Sequence, residues 1–502
     1  MSTGVAGRER AGKDTSLPVH PTSIYDRAAP GRRASTVPRA ADELPSTPDE
    51  IPAHLLRTAG PKLPEVSELD MVRHYTNLSR KNWSIDVGAY PLGSCTMKYN
   101  PKIHEQTAGL PGFSRLHPWQ PEEQTQGALA LLWEMEQILT EITGMARASF
   151  QPAAGAAGEL TGLLIMRAYH QAQGDPRKIV LIPDSAHGTN PATVRMAGYK
   201  VKQIPSDDRG LVDLEAVKAA LSPDVAGLML TNPNTLGLFE REIEGIAAAI
   251  HSVGGILYYD GANLNAILGI IRPGDMGFDV VHSNLHKTFT TPHGGGGPGS
   301  GPVAVSERLA PFLPAPLPAL DSGTGKYYWD DDRPQSIGRV HGFYGNFGMV
   351  VRAYTYITSL GSDGLHRLSE RAVLNANYLR KLIESAYPMA HPGLCMHEFV
   401  VTARKFRKQG IRATDIAKRL IDLGFHPPTV YFPLVVDEAI MVEPTETESK
   451  QTLDELAAAF LQIAGEASSD PDLLHDAPVT SPVGRLDDAR AVRQLQVRWT
   501  PA

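Results

Sequence analysis

The sharpest chemical signal in the sequence is an acid followed, one apolar run later, by a lysine. Asp260 opens Asp-Gly-Ala-Asn, and Lys287 closes Ser-Asn-Leu-His-Lys. An Asp at the C-terminal end of one parallel strand and a Lys just beyond the next face the same crevice. That pairing suits a pyridine aldehyde cofactor. Lys287 would form the Schiff base, and Asp260 would keep the pyridinium nitrogen protonated so that the ring is an electron sink. Each residue also has an ordinary reading, because Asp-Gly is a turn and most lysines are solvated. The residues after Lys287 favour a site. In TFTTPHGGGGPGSGP, Gly294 to Gly297 stand in succession. Glycine there costs entropy and adds no packing, so the run suits close backbone approach to a ligand, with a flexible surface loop as the alternative.

Three more motifs point to the same kind of ligand. Pro152-Ala-Ala-Gly-Ala-Ala-Gly158 runs into a helical pattern. Small residues at a helix start leave backbone N–H groups open to a phosphate, with Ala154, Gly155 and Ala156 as candidates; tight helix packing is the competing use. No GKS or GKT ending follows, which argues against an ATP-binding P-loop. His187, in IPDSAHGTNPAT, sits in a turn after a strand, placed either to stack on an aromatic ring and carry a proton or simply to bond backbone. Asn232 and Asn234 follow another strand, and Asn234 is a candidate donor to a phenolic oxygen or else a turn-former. Four crevice-end motifs with polar groups suited to one ligand outweigh four unrelated structural uses. The spacing of His187, Asp260, His286 and His293 matches no familiar metal-ligand set, so no metal is expected.

The elements that position these residues alternate. Residues 122–143 carry Ala128, Leu131, Leu132, Met135, Leu139 and Ile142 at helical spacing. ELTGLLIMRAYHQA forms a second helix. Short β-rich runs follow: KIVLIPD, YKVKQIP, GLMLTNP, GILYYDG, VVHSNLHK and PVAVS, several separated by helical stretches such as LEAVKAAL and EGIAAAIHSV. This alternation predicts an α/β fold with a mostly parallel sheet covered on both faces. The expected organisation is an N-terminal arm at 1–60, a loop-rich segment at 61–120, a large domain at 121–345 that includes an irregular Pro/Gly-rich stretch at 311–345, and a smaller C-terminal α+β domain at 346–502. In that last domain, two long helices precede strands at HEFVVTAR and AIMVEP.

Composition narrows the function classes. The chain has 502 residues, 48 basic against 55 acidic side chains, and a net charge of −7. That balance does not supply the basic face of a general nucleic-acid binder. Two cysteines, Cys95 and Cys395, make neither a disulfide scaffold nor a Cys-rich zinc site and fit a reducing cytosol. No stretch spans a membrane: the longest near-apolar run, residues 245–259, contains His251 and stops at Asp260. No apolar stretch follows Met1 as in a secretory signal, and Glu9, Asp14 and Asp26 weaken a transit-peptide reading of the Arg-rich start. A cytoplasmic location is expected.

Taken together, GSCTMKYNP, QPAAGAAGE, DSAHGTNPAT, TNPNTLGLFE, DGANLNA, NLHKTFTTPHGGGGPGSGP, FYGNFG and EPTETESK resemble the P-protein family of the glycine cleavage system. The likeness is closest to the second subunit of forms split into two chains, and it runs from about Gly31 to Arg485-Leu-Asp and Arg498-Trp499. The resemblance implies a pyridoxal 5′-phosphate-dependent transferase of fold type I that decarboxylates glycine. It places Lys287 on the Schiff-base lysine and His187 on the ring-stacking histidine. Asp260 falls on the pyridinium partner, Ala262 under the ring face, and Ala154, Gly155 and Ala156 at the phosphate cradle. The pattern departs at Ala157, where relatives are expected to carry a larger polar residue, and at Val479, where a His is expected.

The implied reaction holds glycine with its Cα–carboxylate bond perpendicular to the pyridine plane, so that breaking electrons enter the ring. The aminomethyl group then passes to the lipoyl disulfide of a carrier, the lipoylated H-protein, with Lys287 or His187 carrying protons. A long lipoyl arm needs a channel, and the loops at 90–120 and 320–345 are candidate walls, including Ser94, Cys95 and Thr96. Cys95 is either a redox-sensitive thiol or an inert buried one. A split enzyme implies the homologous glycine dehydrogenase subunit 1 as partner, in a heterotetramer of two copies of each chain, with the arm at 20–60 placed to embrace it. The alternatives are another fold-type-I decarboxylase or transaminase, or a non-catalytic scaffold subunit; intact Lys287, Asp260 and His187 argue against the scaffold.

Overall fold

A computed structural model describes residues 23–34, 51–294 and 299–498. Much of the expected arm, Gly295 to Gly297 and Trp499 lie outside the described residues. The chain falls into two compact units, Met1–Trp83 and Ser84–Ala502.

In the first unit, Ser23 and Asp26 cap a short turn at Ile24–Arg27 reciprocally. A helix at Glu68–Ser79 starts at Ser67, whose side chain accepts from the Asp70 N–H. That helix was not expected within a loop-rich stretch. It buries only His74 and exposes Leu69, Met71, Val72, Tyr75 and Leu78, so its apolar residues trace no stripe against a core of its own.

The second unit is built on a seven-stranded sheet. Its strands are β1 (Arg147–Ser149), β2 (Ile179–Pro183), β3 (Lys200–Ile204), β4 (Val225–Leu230), β5 (Ile256–Gly261), β6 (Val280–Ser283) and β7 (Val303–Val305). They lie in the order β1-β7-β6-β5-β4-β2-β3. The pairs β2/β3, β2/β4, β4/β5 and β5/β6 are parallel, and β7 runs antiparallel to both neighbours. Six of these strands are the β-rich runs of the sequence; the three-residue β1 is too short to carry a pattern.

Both faces of the central strands are buried, which explains their continuous apolar runs. Leu228, Leu230, Leu257, Tyr259 and Val281 enter one core together with the Gln126–Thr143 and Ile243–Ser252 helices. Ala226, Met229, Tyr258 and Val280 enter the other, with Leu163, Ile165 and Met166 of the Gly155–Ala172 helix. Each fully buried Leu or Met contributes about 1.5–3 kcal/mol against exposure.

The stretch 311–345, expected to be irregular, contains a hairpin of β8 (Leu317–Asp321) and β9 (Lys326–Asp330). Pro318 is tolerated because the hairpin has only two strands. Asp321 organises the turn by accepting from the Gly323 N–H and the Thr324 hydroxyl. The smaller region has strands β10 (Phe399–Thr402), β11 (Thr429–Val430) and β12 (Ala439–Val442), all antiparallel. The helices Ala413–Asp422 and Lys450–Ser469 pack on them through Ile416, Leu420, Leu453, Leu456 and Phe460. The two long helices of the sequence form one element, Phe347–Ile383, broken at Gly361, whose φ of 65° disfavours any other residue.

Candidate active site

The C-terminal ends of the parallel strands open into one cavity of about 230 Å³. After β2 comes His187, after β4 Thr231 and Thr235, after β5 Ala262 and Asn263, and after β6 Asn284 and Lys287. Asp260 is the penultimate residue of β5. Gly155, Ala156 and Glu159 reach the cavity from a helix start, Ser94 from the preceding loops, and His397 and Glu398 from the strand entry of the smaller region. Crevices at the carboxyl ends of parallel strands are where such sheets collect ligands.

Asp260 is buried and stays ionised. Burial, the largest single influence, favours its neutral form. His282, the Asn190 amide, Lys287 and His187 together outweigh burial and hold the carboxyl below its ordinary range. Asn190 Nδ2 donates to Asp260 Oδ2 at 2.7 Å, and His282 Nε2 lies 3.3 Å from Oδ1. His282 is fixed in turn, its Nδ1 lying 3.1 Å from the Tyr258 hydroxyl, which donates to the Glu159 carbonyl.

His187 stands exposed at the cavity mouth. The protein packed behind it lowers its pKa, opposed by Asp260 and assisted by Lys287. The Thr189 N–H donates to its Nδ1 at 3.2 Å. The Thr189 hydroxyl, 2.7 Å from the same nitrogen, donates to Glu159 Oε2. Asn190 Nδ2 reaches Glu159 Oε1 at 3.2 Å, so one polar chain runs from His187 to Asp260.

The start of the Gly155–Ala172 helix is built for close approach. Its N-cap, Ala154, supplies no side-chain bond, so the first-turn N–H groups of Gly155 and Ala156 are uncapped at the cavity. A Cβ on Gly155 would meet Asn284 Oδ1 at 2.5 Å, and one on Gly158 would meet the Gly301 carbonyl at 2.2 Å. Asn284 Oδ1 and Asn190 Oδ1 are buried without a hydrogen-bond partner. Uncapped N–H groups, an ionised Asp, a lysine amine and unpaired amide oxygens together fit a phosphorylated pyridine aldehyde.

Lys287, His187, Asp260, Ala262, Gly155, Ala156 and Ser94 are thus brought together. Ala154 caps the helix without lining the cavity. Asn234 does not reach it. Its Nδ2 donates to the Gly210 carbonyl and Glu240 Oε1, and its Oδ1 accepts from the Leu236 and Leu238 N–H groups. The turn spends all its hydrogen-bonding capacity, and Thr231 and Thr235 face the cavity instead. Thr96 is buried and bonded to Glu443 rather than lining the cavity. Cys95 is half-buried; burial raises its thiol pKa ahead of the lowering effect of Lys287, which favours an inert thiol. Sequence reasoning missed Glu159, Asn190, His282, Asn284, His397, Glu398 and Glu443. Their only signal was proximity to recognised motifs. Among the described residues no helix is long and apolar enough to cross a membrane.

A family model described as glycine cleavage system P-protein matches residues 41–319, and one described as glycine dehydrogenase, C-terminal domain, matches residues 368–474. The chain is 57% identical over 478 residues to a probable glycine dehydrogenase (decarboxylating) subunit 2 of Caldanaerobacter subterraneus subsp. tengcongensis, covering 95% of this chain and 98% of that one. It is also 57% identical to the similarly named protein of Desulforamulus reducens, covering 95% and 99%. Among solved structures, an inhibitor-bound glycine decarboxylase (P-protein) of the glycine cleavage system superposes with a TM-score of 0.70 at 20% identity, covering 82% of this chain and 93% of that one. An alanine–glyoxylate aminotransferase from Nostoc sp. does so at 0.56 and 17%, covering 75% and 96%. The fold is that of the fold-type-I α/β transferases, as expected.

Proposed function

The chain belongs to the glycine cleavage system P-protein family, and from that premise we propose that the strand-end cavity binds pyridoxal 5′-phosphate and decarboxylates glycine. The enzyme is a glycine dehydrogenase (decarboxylating) of the glycine cleavage system. The observation that carries the site assignment is the convergence of Lys287, ionised Asp260 and an uncapped helix start on one cavity.

Lys287 would tether the cofactor, Asp260 would pair with its ring nitrogen, and the Gly155 and Ala156 N–H groups would receive its phosphate. His187 and Ala262 would flank its ring. When bound, the cofactor supplies an electron sink for the bond between glycine's Cα and carboxylate. Asp260 makes that sink effective because the buried carboxylate holds a positive charge opposite it. Asn190 and His282 fix the carboxylate, so no reorganisation is needed when charge moves. His187, with Thr189 behind it, moves protons at the cavity mouth.

The aminomethyl group goes to the lipoyl disulfide of the H-protein. Ser94 and the loops at 90–120 and 320–345 guide the arm. The partner is the homologous first subunit, in a cytoplasmic heterotetramer. The exposed apolar residues of the Glu68–Ser79 helix suit a partner contact.

The test is an absorbance spectrum of the purified chain with pyridoxal phosphate, beside Lys287→Ala, with borohydride trapping and peptide mapping. The expected result is a visible band trapped on Lys287 and absent from the variant. A band that needs the first subunit means a site shared between chains. No band under either condition overturns the cofactor assignment and leaves a scaffold.

A further inference from the structure

Behind the cavity lies a buried acidic pair that the roles above do not use. His397, Glu398 and Glu443 bring their ligand-type atoms within 4.8 Å of one another, and all three are at least 95% buried. Glu443 is held by three donors: the Thr96 N–H at 3.0 Å, the Thr96 hydroxyl at 2.8 Å and Asn263 Nδ2 at 2.8 Å. Glu398 has one, the Ser94 N–H at 2.8 Å. His397 Nε2 stands 3.8 Å from Glu398 and 4.0 Å from Glu443, and its Nδ1 is buried without a partner. Glu398 and His397 line the cavity; Glu443 does not.

Two carboxylates this close in a dry site do not both ionise. Three donors favour the anion on Glu443, so the shared proton resides on Glu398. The surroundings supply little compensating charge. Burial holds the His397 pKa down to about 3, leaving it neutral. Burial also raises the Cys95 and Cys395 thiols that face the pair. Lys98, on the Glu443 side, is already committed to Glu446 at 2.6 Å. Lys287 is the cation that faces both carboxylates, and it opposes burial without overcoming it.

The transfer itself requires a proton. The electron pair of glycine's C–CO₂ bond forms the new C–S bond, and the S–S pair departs on the second sulfur. Cα is oxidised and the disulfide reduced. CO₂ carries no proton away, so the departing sulfur becomes a thiol only by taking one up. We propose that Glu398 and Glu443 store one proton between them and that Glu398 donates it to the sulfur leaving the lipoyl disulfide, with Glu443 as its positioning residue. This rests on the cofactor and acceptor assigned above.

The test uses the chain with its partner subunit, pyridoxal phosphate and the lipoylated carrier, in wild-type form and as Glu398→Gln and Glu443→Gln. Infrared difference spectra at neutral pH read the protonated-carboxyl stretch directly. In Glu398→Gln the amide oxygen can still accept from the Ser94 N–H, so that variant is expected to fold and to keep the Lys287-trapped band. It should lose one protonated-carboxyl band, lose lipoyl-dependent CO₂ release by roughly 10²-fold, and lose the alkaline limb of the wild-type pH profile. Glu398→Asp should restore part of the rate. Identical carboxyl spectra in wild type and Glu398→Gln, or an unchanged pH profile, overturn the proposal. Absence of the trapped band from wild type overturns the cofactor assignment instead, so the two failures are distinct.

Discussion

Two cavities among the described residues differ in kind, and the larger of the pair is not at the strand ends. An aromatic cavity of about 400 Å³ is lined by Phe113, Trp119, Trp329, Phe343 and Tyr344, among others. Trp119 meets Phe343 edge-on at 5.8 Å, and Trp329 meets Tyr344 at 4.8 Å. The strand-end cavity holds about 230 Å³ and converges an Asp, a Lys, two Glu and several histidines. Volume and aromatic lining suit the first cavity to holding a group; the smaller one carries the convergent acid, lysine and histidines. Chemistry is concentrated there because β2, β4, β5 and β6 deliver residues from their C-terminal ends to the same edge.

Removing the covalent tether tests this contrast hardest. Lys287→Ala should abolish the visible band and lower glycine decarboxylation on the order of 10⁴-fold or more, read by spectroscopy and CO₂ release. Asp260→Asn should keep the trapped lysine band but lower the rate by roughly 10²–10³-fold, because the ring nitrogen loses its anion.

Acid should expose the polar cavity's burial cost. His286, His293 and His397 are held neutral mainly by burial, at about 3, about 4 and about 3, against an ordinary value of 6.5. Below 6.5 the unfolded chain binds protons that the folded chain refuses, so stability falls as pH drops from 6.5 toward those values. Urea denaturation at neutral and mildly acidic pH should show that loss, and His397→Gln should flatten it. A steeper loss in the variant would contradict the assignment of His397 as neutral.

Gly158→Ala should cost about 1–3 kcal/mol of stability, since the added methyl meets the Gly301 backbone; denaturant midpoints check this. Smallest of all, Trp119→Ala should leave the cofactor band unchanged, because Trp119 is 79% exposed and borders the aromatic cavity. A shifted band there would join the two cavities and collapse the contrast.

Strand ends were legible because apolar runs stop abruptly near Asn232, Asp260 and His282, and a parallel sheet makes stopping points coincide. Asn234 shows the limit of that reasoning. It has the right type and lies near a strand end, yet its side chain is consumed by its own turn. Hairpin β8/β9 was obscured by Pro318 within a Pro/Gly-rich stretch. The Glu68–Ser79 helix was hidden because its apolar residues do not line one buried face.

The sequence by itself determined the alternation of strands and helices, the lysine–aspartate pair and the small-residue helix start. These are local patterns whose period and side-chain type are set along the chain. Only tertiary structure decided which residues surround that pair. Glu398 and Glu443 lie more than 110 positions beyond Lys287 and become partners of Ser94 and Thr96, about 300 residues or more away in sequence, only when β10 and β12 fold back against the crevice. Their proximity, burial and shared proton are properties of packing, because the energy of a charge depends on what excludes water from it, and no run of residues specifies that alone.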